Sequence, residues 1–339
     1  MSIDIKIADE KDMEQWEEAV SSSSYATIFH TWKWLNIAKK HTNLELYPLM
    51  AYRGTTLVGI YPVFLKRKGF VKIAFSPPPK AYLLYLGPVI LNYENLKQDK
   101  KESVFRQFQE EVDKYLFSEL KCNYVRIRTS PGLFDSRPFR WSGYEIEPLY
   151  TYRINLSRGQ DNVWDQFDRK LRVDINKAVR EGVVIEEGTK DDLEFIHGSL
   201  SRRYVEQGFN PSDYCKYLSE LFDEFHPHNM KIFIATYKGE KVGGTISLCY
   251  KDVVYLWVGV PKSDLKGISP NDLVQWEAIK WACNNGFKYY EEMDAGDDPR
   301  LTYFKSKYNP ELVIWYSAVR YSAYAYRIAD KSIRRLRGK

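Results

Sequence analysis

The chain has 339 residues, a length that suits about two domains each large enough for its own core. Its formal charge of +5 is modest and well mixed, so composition does not mark a nucleic-acid-binding protein. The N-terminus is charged, the longest apolar run (Tyr82 to Leu91) is broken by Gly87 and Pro88, and the 4 cysteines (Cys122, Cys215, Cys249, Cys283) form no Cys-x-x-Cys pair. These features exclude a signal peptide and a spanning helix from the expectation and point to reduced, buried thiols in a cytoplasmic protein.

In chain order, the first predicted unit opens with a hairpin over Met50 to Val63, in which Arg53 and Gly54 make the turn. A strand over Tyr82 to Val89 is expected next, then a helix over Lys101 to Leu120 and a short aromatic strand with Tyr124, Val125 and Ile127. A basic helix is predicted over Val163 to Glu181. The hairpin then returns over Ala235 to Leu248. Tyr52, Arg53, Gly54, Leu57 and Gly59 fall on Tyr237, Lys238, Gly239, Val242 and Gly244, a constant offset of 185 residues. A strand over Val253 to Val260, a helix over Pro270 to Asn285 and a strand with Phe287, Tyr289 and Tyr290 complete the second copy. Ser269, Pro270, Asp272 and Gly286 mark the ends of that helix. The repeated order of strand, hairpin, strand, helix, strand predicts an α/β (α+β) layer fold built twice. Aromatic content is high at 15% of the chain, and the rings in these strands read mostly as core or groove lining.

Two basic clusters stand out: Arg169, Lys170, Arg172, Lys177 and Arg180, and the tail residues Lys331, Arg334, Arg335, Arg337 and Lys339. Each reads as a solvated helix face or as a contact for phosphate or RNA, and the tail equally as a contact for an anionic membrane surface. Walker, dinucleotide, nucleophile-elbow and His-Glu-x-x-His motifs are absent. His226 and His228 around Pro227 read as surface histidines. The acidic run Glu291, Glu292, Asp294, Asp297, Asp298 does not fit an EF-hand loop, so no metal is expected, and Asp298 before Pro299 reads as a helix N-cap.

Several segments in fixed order resemble the FemABX-type peptidoglycan aminoacyltransferases and their GNAT-type relatives. They are Ile28-Phe29-His30-Thr31-Trp32-Lys33-Trp34; Lys170, Arg172, Ile175, Lys177, Ala178 and Gly182; Asn271, Leu273, Trp276, Ala278, Ile279, Trp281, Ala282 and Gly286; and Phe304, Lys305, Lys307 and Tyr308. The resemblance implies two tandem GNAT-like acyl-CoA N-acyltransferase domains related by duplication: residues 1–150 on the acceptor side, 151–316 on the donor side, and a basic C-terminal helix over 317–339 that packs back on the first. It implies transfer of an acyl group onto an amine of a phosphorylated cell-envelope or glycan precursor. The donor is aminoacyl-tRNA or acyl-CoA, and no cofactor is held tightly.

Amine attack on that donor creates an oxyanion, for which a fixed cation is valuable, and Lys305 is the first choice. Phe304 is placed to pack on the donor's terminal adenosine or pantetheine. Asp294 is the best-placed carboxylate for a general base, although Met293-Asp294-Ala295-Gly296-Asp297 departs from the family's Tyr-Asp-x-Gly-Gly. By position in the family pattern, Trp34, Lys39, Arg203 and Lys307 join the substrate site, with Lys39 and Arg203 as cations for acceptor phosphate. The register at Lys39 differs by one residue from the family's. Tyr255 and Trp257 share a strand face that lines the acyl channel or fills the core. The stretch Lys262-Ser263-Asp264-Leu265-Lys266-Gly267-Ile268-Ser269 has one glycine and an acid where a CoA pyrophosphate loop belongs, which favours aminoacyl-tRNA. Two alternatives stand beside this reading: a CoA-dependent N-acetyltransferase acting on an amino sugar in polysaccharide synthesis, and a non-catalytic binding protein for a phosphorylated glycolipid or RNA.

Overall fold

A computed structural model describes residues 2–206, 214–260, 263, 265–294, 296, 298–323 and 326–327. Lys262, Asp264, Ala295, Asp297 and the basic tail residues Lys331, Arg334, Arg335, Arg337 and Lys339 lie outside the described residues. The chain divides into two compact units, one made of residues up to Leu149 together with those from Ile314 on, the other of Tyr150–Val313.

The first unit begins with strand β1 (Asp4–Ile7) and helices α1 (Met13–Ser22) and α2 (Trp32–Thr42). Thr31 caps α2 by accepting the Trp34 N–H, and the stripe Trp34, Leu35, Ile37, Ala38 is buried. Strands β2 (Glu45–Arg53), β3 (Thr56–Lys68), β4 (Val71–Ser76) and the short β5 (Val89–Ile90) follow, then α3 (Gln98–Asp113), β6 (Tyr124–Arg128) and α4 (Arg137–Trp141). The strand expected over Tyr82 to Val89 does not form. Tyr82 and Gly87 have φ of +50° and +81°, and Pro88 has no N–H to donate. Leu86 instead makes a single parallel bridge to Thr129, and only Val89 and Ile90 pair, with β3. The helix expected over Lys101 to Leu120 starts at Gln98 and finishes in a π-helical stretch, Lys114–Glu119.

Strand β7 (Glu145–Asn155) leads into the second unit. There α5 (Gln160–Gln166) and α6 (Arg169–Arg180) replace the one helix predicted over Val163 to Glu181. Phe167 is extended, and the Asp168 side chain accepts the N–H groups of Lys170 and Leu171, so a cap inside the charged run starts a new helix. After β8 (Val184–Glu187), α7 (Asp192–Glu206) and α8 (Cys215–Phe225) come β9 (Met230–Tyr237), β10 (Glu240–Tyr250), β11 (Val253–Gly259), α9 (Pro270–Asn284), β12 (Tyr289–Asp294) and α10 (Pro299–Ser306). Ser269 occupies the N-cap position of α9 without a side-chain cap bond, whereas Asp298 does cap α10. The last strand, β13 (Glu311–Tyr321), returns to pair with β6. The helix expected from residue 317 is therefore a strand as far as Tyr321. Val319 and Ala318, in a run rich in β-branched and aromatic residues, suit a pleated surface.

Within each unit the strands form one hydrogen-bonded run. The first runs β1-β2-β3-β4-β6-β13, with β5 beside β3; the second runs β8-β9-β10-β11-β12-β7. Both contain one parallel pair, β4 with β6 and β11 with β12, and are otherwise antiparallel. The two units thus share a strand order. The first takes its final strand from the end of the chain, and the second takes it from the strand that precedes the unit.

The hairpin repeat is real, but its structural offset is 184, not 185. Ala51 pairs with Gly59 and Arg53 with Thr56, while Ala235 pairs with Gly243 and Tyr237 with Glu240. A one-residue slip moves every side chain to the opposite face, so the distinction matters. A Cβ on Gly59 would meet the Phe108 ring of α3, and one on Gly243 would meet Pro270 and Asn271 of α9. Gly244, the partner of Gly59 in the sequence alignment, faces Ile196 of α7 on the other side. Each hairpin also holds one extra residue in its second strand, Val58 and Val242, and these bulges too are 184 residues apart.

Gly59 is where this register is most sensitive. A methyl there would lie 2.7 Å from Val89 O and 3.2 Å from Phe108. Gly59→Ala is expected to cost about 1–3 kcal/mol of stability, read as a lower urea midpoint, because a backbone oxygen has to move. An unchanged midpoint would refute the close approach.

Candidate functional site

In the second unit the parallel strands β11 and β12 pair only over Val253, Val254 and Tyr255 against Tyr289, Tyr290 and Glu291. Beyond Tyr255 and Glu291 the two strands share no further ladder pairs among the described residues, and a wedge opens between them. Met293 sits in the left-handed region at φ +53°, an unusual conformation for a long side chain, and the β12–β7 register shifts between Glu291 and Asp294. Met293 O accepts a hydrogen bond from Thr151 Oγ1 of β7 at 2.7 Å.

The neighbouring carbonyls of β12 are taken by a side chain instead of a strand. Lys305, on α10, is 6% exposed and donates from Nζ to Glu292 O (2.6 Å) and Asp294 O (2.5 Å). Two of its three ammonium protons are thereby spent on the edge of β12. Burial lowers its pKa, while Glu292, Asp294 and Glu291 oppose that shift. Beside it, Lys307 Nζ binds Asp272 Oδ1 at 2.6 Å, with Asp272 1% exposed, and lies 4.6 Å from the Phe304 ring centre. Tyr308 packs edge-on against Phe304 and reaches Asp272. Phe304 is half-buried against the core of the unit.

A row of polar side chains marks the level at which the strands part. Arg153, Glu291 and Tyr255 are register partners across β7, β12 and β11. Glu291 is fully buried. Arg153 forks its Oε2 at 2.5 and 3.2 Å, and Oε1 has no partner. Burial pushes the Glu291 carboxyl up to about 8, with Lys305 acting against that rise, and Arg153 Nη2 forms an ion pair with it at 2.5 Å. Tyr255 is buried and its hydroxyl is pushed up to about 12 by that burial. Trp257, two residues on, is 9% exposed and is the extra residue of a bulge in β11 opposite Ile246 and Ser247. On the other face of β12, Glu292 is fully buried, accepts from Gln275 Nε2 of α9, and is pushed up to about 8, chiefly by burial, with Lys305 and Gln275 acting against it.

The structure draws Lys305, Asp294, Phe304, Lys307, Tyr255 and Trp257 around β11, β12 and α10 of one unit. Asp294 is exposed and accepts the Gly296 N–H through Oδ1 at 2.8 Å, an Asx-type turn. Arg203 stands apart on α7, where it binds Glu206 at 3.2 Å. Trp34 and Lys39 are on α2 of the first unit. Trp34 is fully buried and packs edge-on against Phe29, with ring centres 5.0 Å apart, and Lys39 is exposed.

The sequence does not mark Glu291, Glu292 and Arg153 as a site. The two acids belong to the acidic run considered for a metal, and only strand alternation separates Glu291 toward Arg153 from Glu292 toward α9. In the basic helix Lys177 is the informative member. A Cβ on Gly267, in the turn before α9, would lie 3.2 Å from Lys177 Nζ, so this cation stands at the N-terminus of α9. Cys122 and Cys249 are buried as expected, whereas Cys215 and Cys283 are only partly so.

Residues 166–305 match the family of acetyltransferase (GNAT) domains. The protein is an acyltransferase with the GNAT fold. The match falls within the second unit and spans α6 through Lys305. No curated protein matches at a significant level. Among solved structures the chain is similar to FemX (13% identity, 92% of this chain and 96% of that one, TM-score 0.68). It is also similar to the C-terminal domain of a proposed lysylphosphatidylglycerol synthetase from Agrobacterium fabrum (12%, 96% and 98%, TM-score 0.57). A third is a tandem GNAT protein from the clavulanic acid biosynthesis pathway (10%, 95% and 99%, TM-score 0.57). At these identities the likeness is one of fold, and it covers both units of this acyltransferase. No helix among the described residues is long and apolar enough to cross a membrane.

Two measurements test the buried charges. Arg153→Met leaves Glu291 buried without its cation and is expected to cost about 3–5 kcal/mol, read from the urea midpoint; a loss under about 1 kcal/mol would show that the pair is solvated. Glu292 binds its proton more tightly in the fold than in the unfolded chain. Its contribution is therefore complete below the ordinary value of 4.5 and is lost as pH rises to about 8. Glu292→Gln is expected to flatten the fall in stability across that window, and an unaltered pH slope would contradict the assignment.

Proposed function

We propose that this acyltransferase moves an aminoacyl group from aminoacyl-tRNA onto an amine of a phosphorylated cell-envelope or glycan precursor. The observation that carries the reading is the wedge between β11 and β12, with Lys305 fixed at its edge inside the segment that matches the GNAT domain. A carbonyl lying in such a wedge meets the third ammonium proton of Lys305, which suits an oxyanion formed when the amine attacks. Because the other two protons already hold backbone carbonyls, the cation needs no reorganisation as charge develops. Phe304 offers a half-buried ring to the donor beside that cation, and Lys307 with Asp272 stiffens the support beneath it. Tyr255 and Trp257 wall the wedge on β11.

Asp294 is the exposed carboxylate at the end of β12 and takes the proton of the attacking amine. Arg203 and the exposed Lys39 offer cations to acceptor phosphates, each from its own unit, and Trp34 shapes the helix that carries Lys39. The second unit serves the donor and the first assists the acceptor. In support of that division, the parallel pair of the first unit does not open: β4 and β6 pair through Ser76 and Ile127, and Leu86 then bridges Thr129.

For the donor, aminoacyl-tRNA is favoured over acyl-CoA by the start of α9. Pro270 removes one backbone N–H from that helix end, and Asp272 puts a carboxylate in its first turn, both unfavourable to a pyrophosphate. Lys177 beside Gly267 favours the second reading, a CoA-dependent N-acetyltransferase, since it brings a cation to the same helix end.

The deciding experiment offers labelled aminoacyl-tRNA and labelled acetyl-CoA separately to the purified protein, with an amine-bearing peptidoglycan nucleotide precursor or an amino sugar as acceptor. Transfer from the tRNA is expected, reduced at least about a hundredfold in Lys305→Ala. Transfer from acetyl-CoA alone would replace the donor. Tight acceptor binding without transfer from either donor would leave only the role of a binding protein for phosphorylated glycolipid or RNA.

A further inference from the structure

Away from the wedge, α7 and α8 bring together a thiol and an imidazole that the sequence keeps 18 residues apart. Cys215 is the first residue of α8, and its Sγ lies 3.1 Å from His197 Nδ1. The backbone N–H of Tyr214 donates to His197 Nε2 at 3.2 Å, and Ser201 Oγ lies 3.4 Å from the same nitrogen. A backbone N–H can only donate, so Nε2 holds the lone pair and the neutral ring carries its proton on Nδ1. That proton faces the sulfur. The sulfur is therefore the acceptor, and accepting from a ring N–H favours thiolate over thiol. The 11 residues of α8 add the positive end of a helix dipole at the same atom. Both residues are half-buried, within reach of a small reagent.

We propose that Cys215 is a nucleophilic modification site for small disulfides of the glutathione type, held as a thiolate by His197. The thiolate attacks one sulfur of the disulfide. The reagent's S–S bond breaks, a new bond joins Cys215 to one half, and the other half leaves as thiolate, so no further oxidant or reductant is needed. The other cysteines lack this setting. Burial pushes Cys122 up to about 11 and Cys249 up to about 12, and Cys283, although half-buried, is also raised by desolvation.

The test treats the full-length protein with iodoacetamide at pH 6.5 and 8.5, and separately with glutathione disulfide, and follows each cysteine by peptide mass spectrometry. Cys215 is expected to alkylate at least about tenfold faster than Cys283 at pH 6.5 and to take up glutathione first. His197→Ala is expected to slow Cys215 at pH 6.5 by about tenfold and to leave the Cys283 rate unchanged. If that variant also exposes Cys283, the fold has loosened, and the parent's ratio of the two rates at pH 6.5 decides by itself. A Cys215 rate at pH 6.5 no greater than that of Cys283, or one indifferent to His197 in a variant whose Cys283 is protected, would overturn the proposal.

Discussion

The parting of β11 and β12 after Tyr255 and Glu291 is the constraint on which the second unit depends. Two parallel strands that separate leave backbone carbonyls without partners, and a buried carbonyl cannot stay so without a cost of roughly 1–3 kcal/mol. The chain meets this with an ammonium. Lys305 donates to Glu292 O and Asp294 O, and burying that cation requires compensation in turn, which the nearby carboxylates of Glu292, Asp294 and Glu291 supply. The same group that closes the strand edge is thereby fixed at the mouth of the opening. Structural need and the proposed catalytic use coincide at one atom.

Around that atom the charges are arranged by strand alternation. Glu291 turns to Arg153 and Glu292 to Gln275, so two adjacent acids are held on opposite faces of β12 and do not share one environment. Met293, with φ of +53°, lies between them and Asp294, where the strand leaves its ladder. Such a conformation persists only where surrounding bonds over-determine it; here Thr151 holds Met293 O and Lys305 holds the carbonyls on either side. The first unit has the same strand order but no comparable opening, because Leu86 continues the contact with β6 through Thr129. One fold thus occurs twice, with the wedge kept in only one copy.

Much of the fold was legible because it follows from local rules. The hairpin turns at Gly54 and Lys238-Gly239, the start of α9 at Pro270 and the cap of α10 at Asp298 are each set by residues adjacent in sequence. The misses share a cause. Asp168 starts a new helix within an evenly charged run, and the pairing of Ala51 with Gly59 and of Ala235 with Gly243, which fixes the offset at 184, is set by strand register that no residue type announces. Of the site, Lys305 and Phe304 could be named from a resemblance in motif, but the partners of Lys305 could not, since they are backbone carbonyls and carry no side-chain signature.

The sequence by itself determined the duplicated order of strands and helices, the GNAT-type resemblance and the residues of the Phe304-Lys305 segment, because periodicity, capping and motif spacing act over a few residues. Only the tertiary structure decided what those residues meet. It set Arg153 against Glu291 across 138 positions and Cys215 against His197 between two helices, and it gave the first unit its last strand from the far end of the chain. Contacts of that kind depend on register and on which strands part, and a single residue of slip exchanges one face of a sheet for the other.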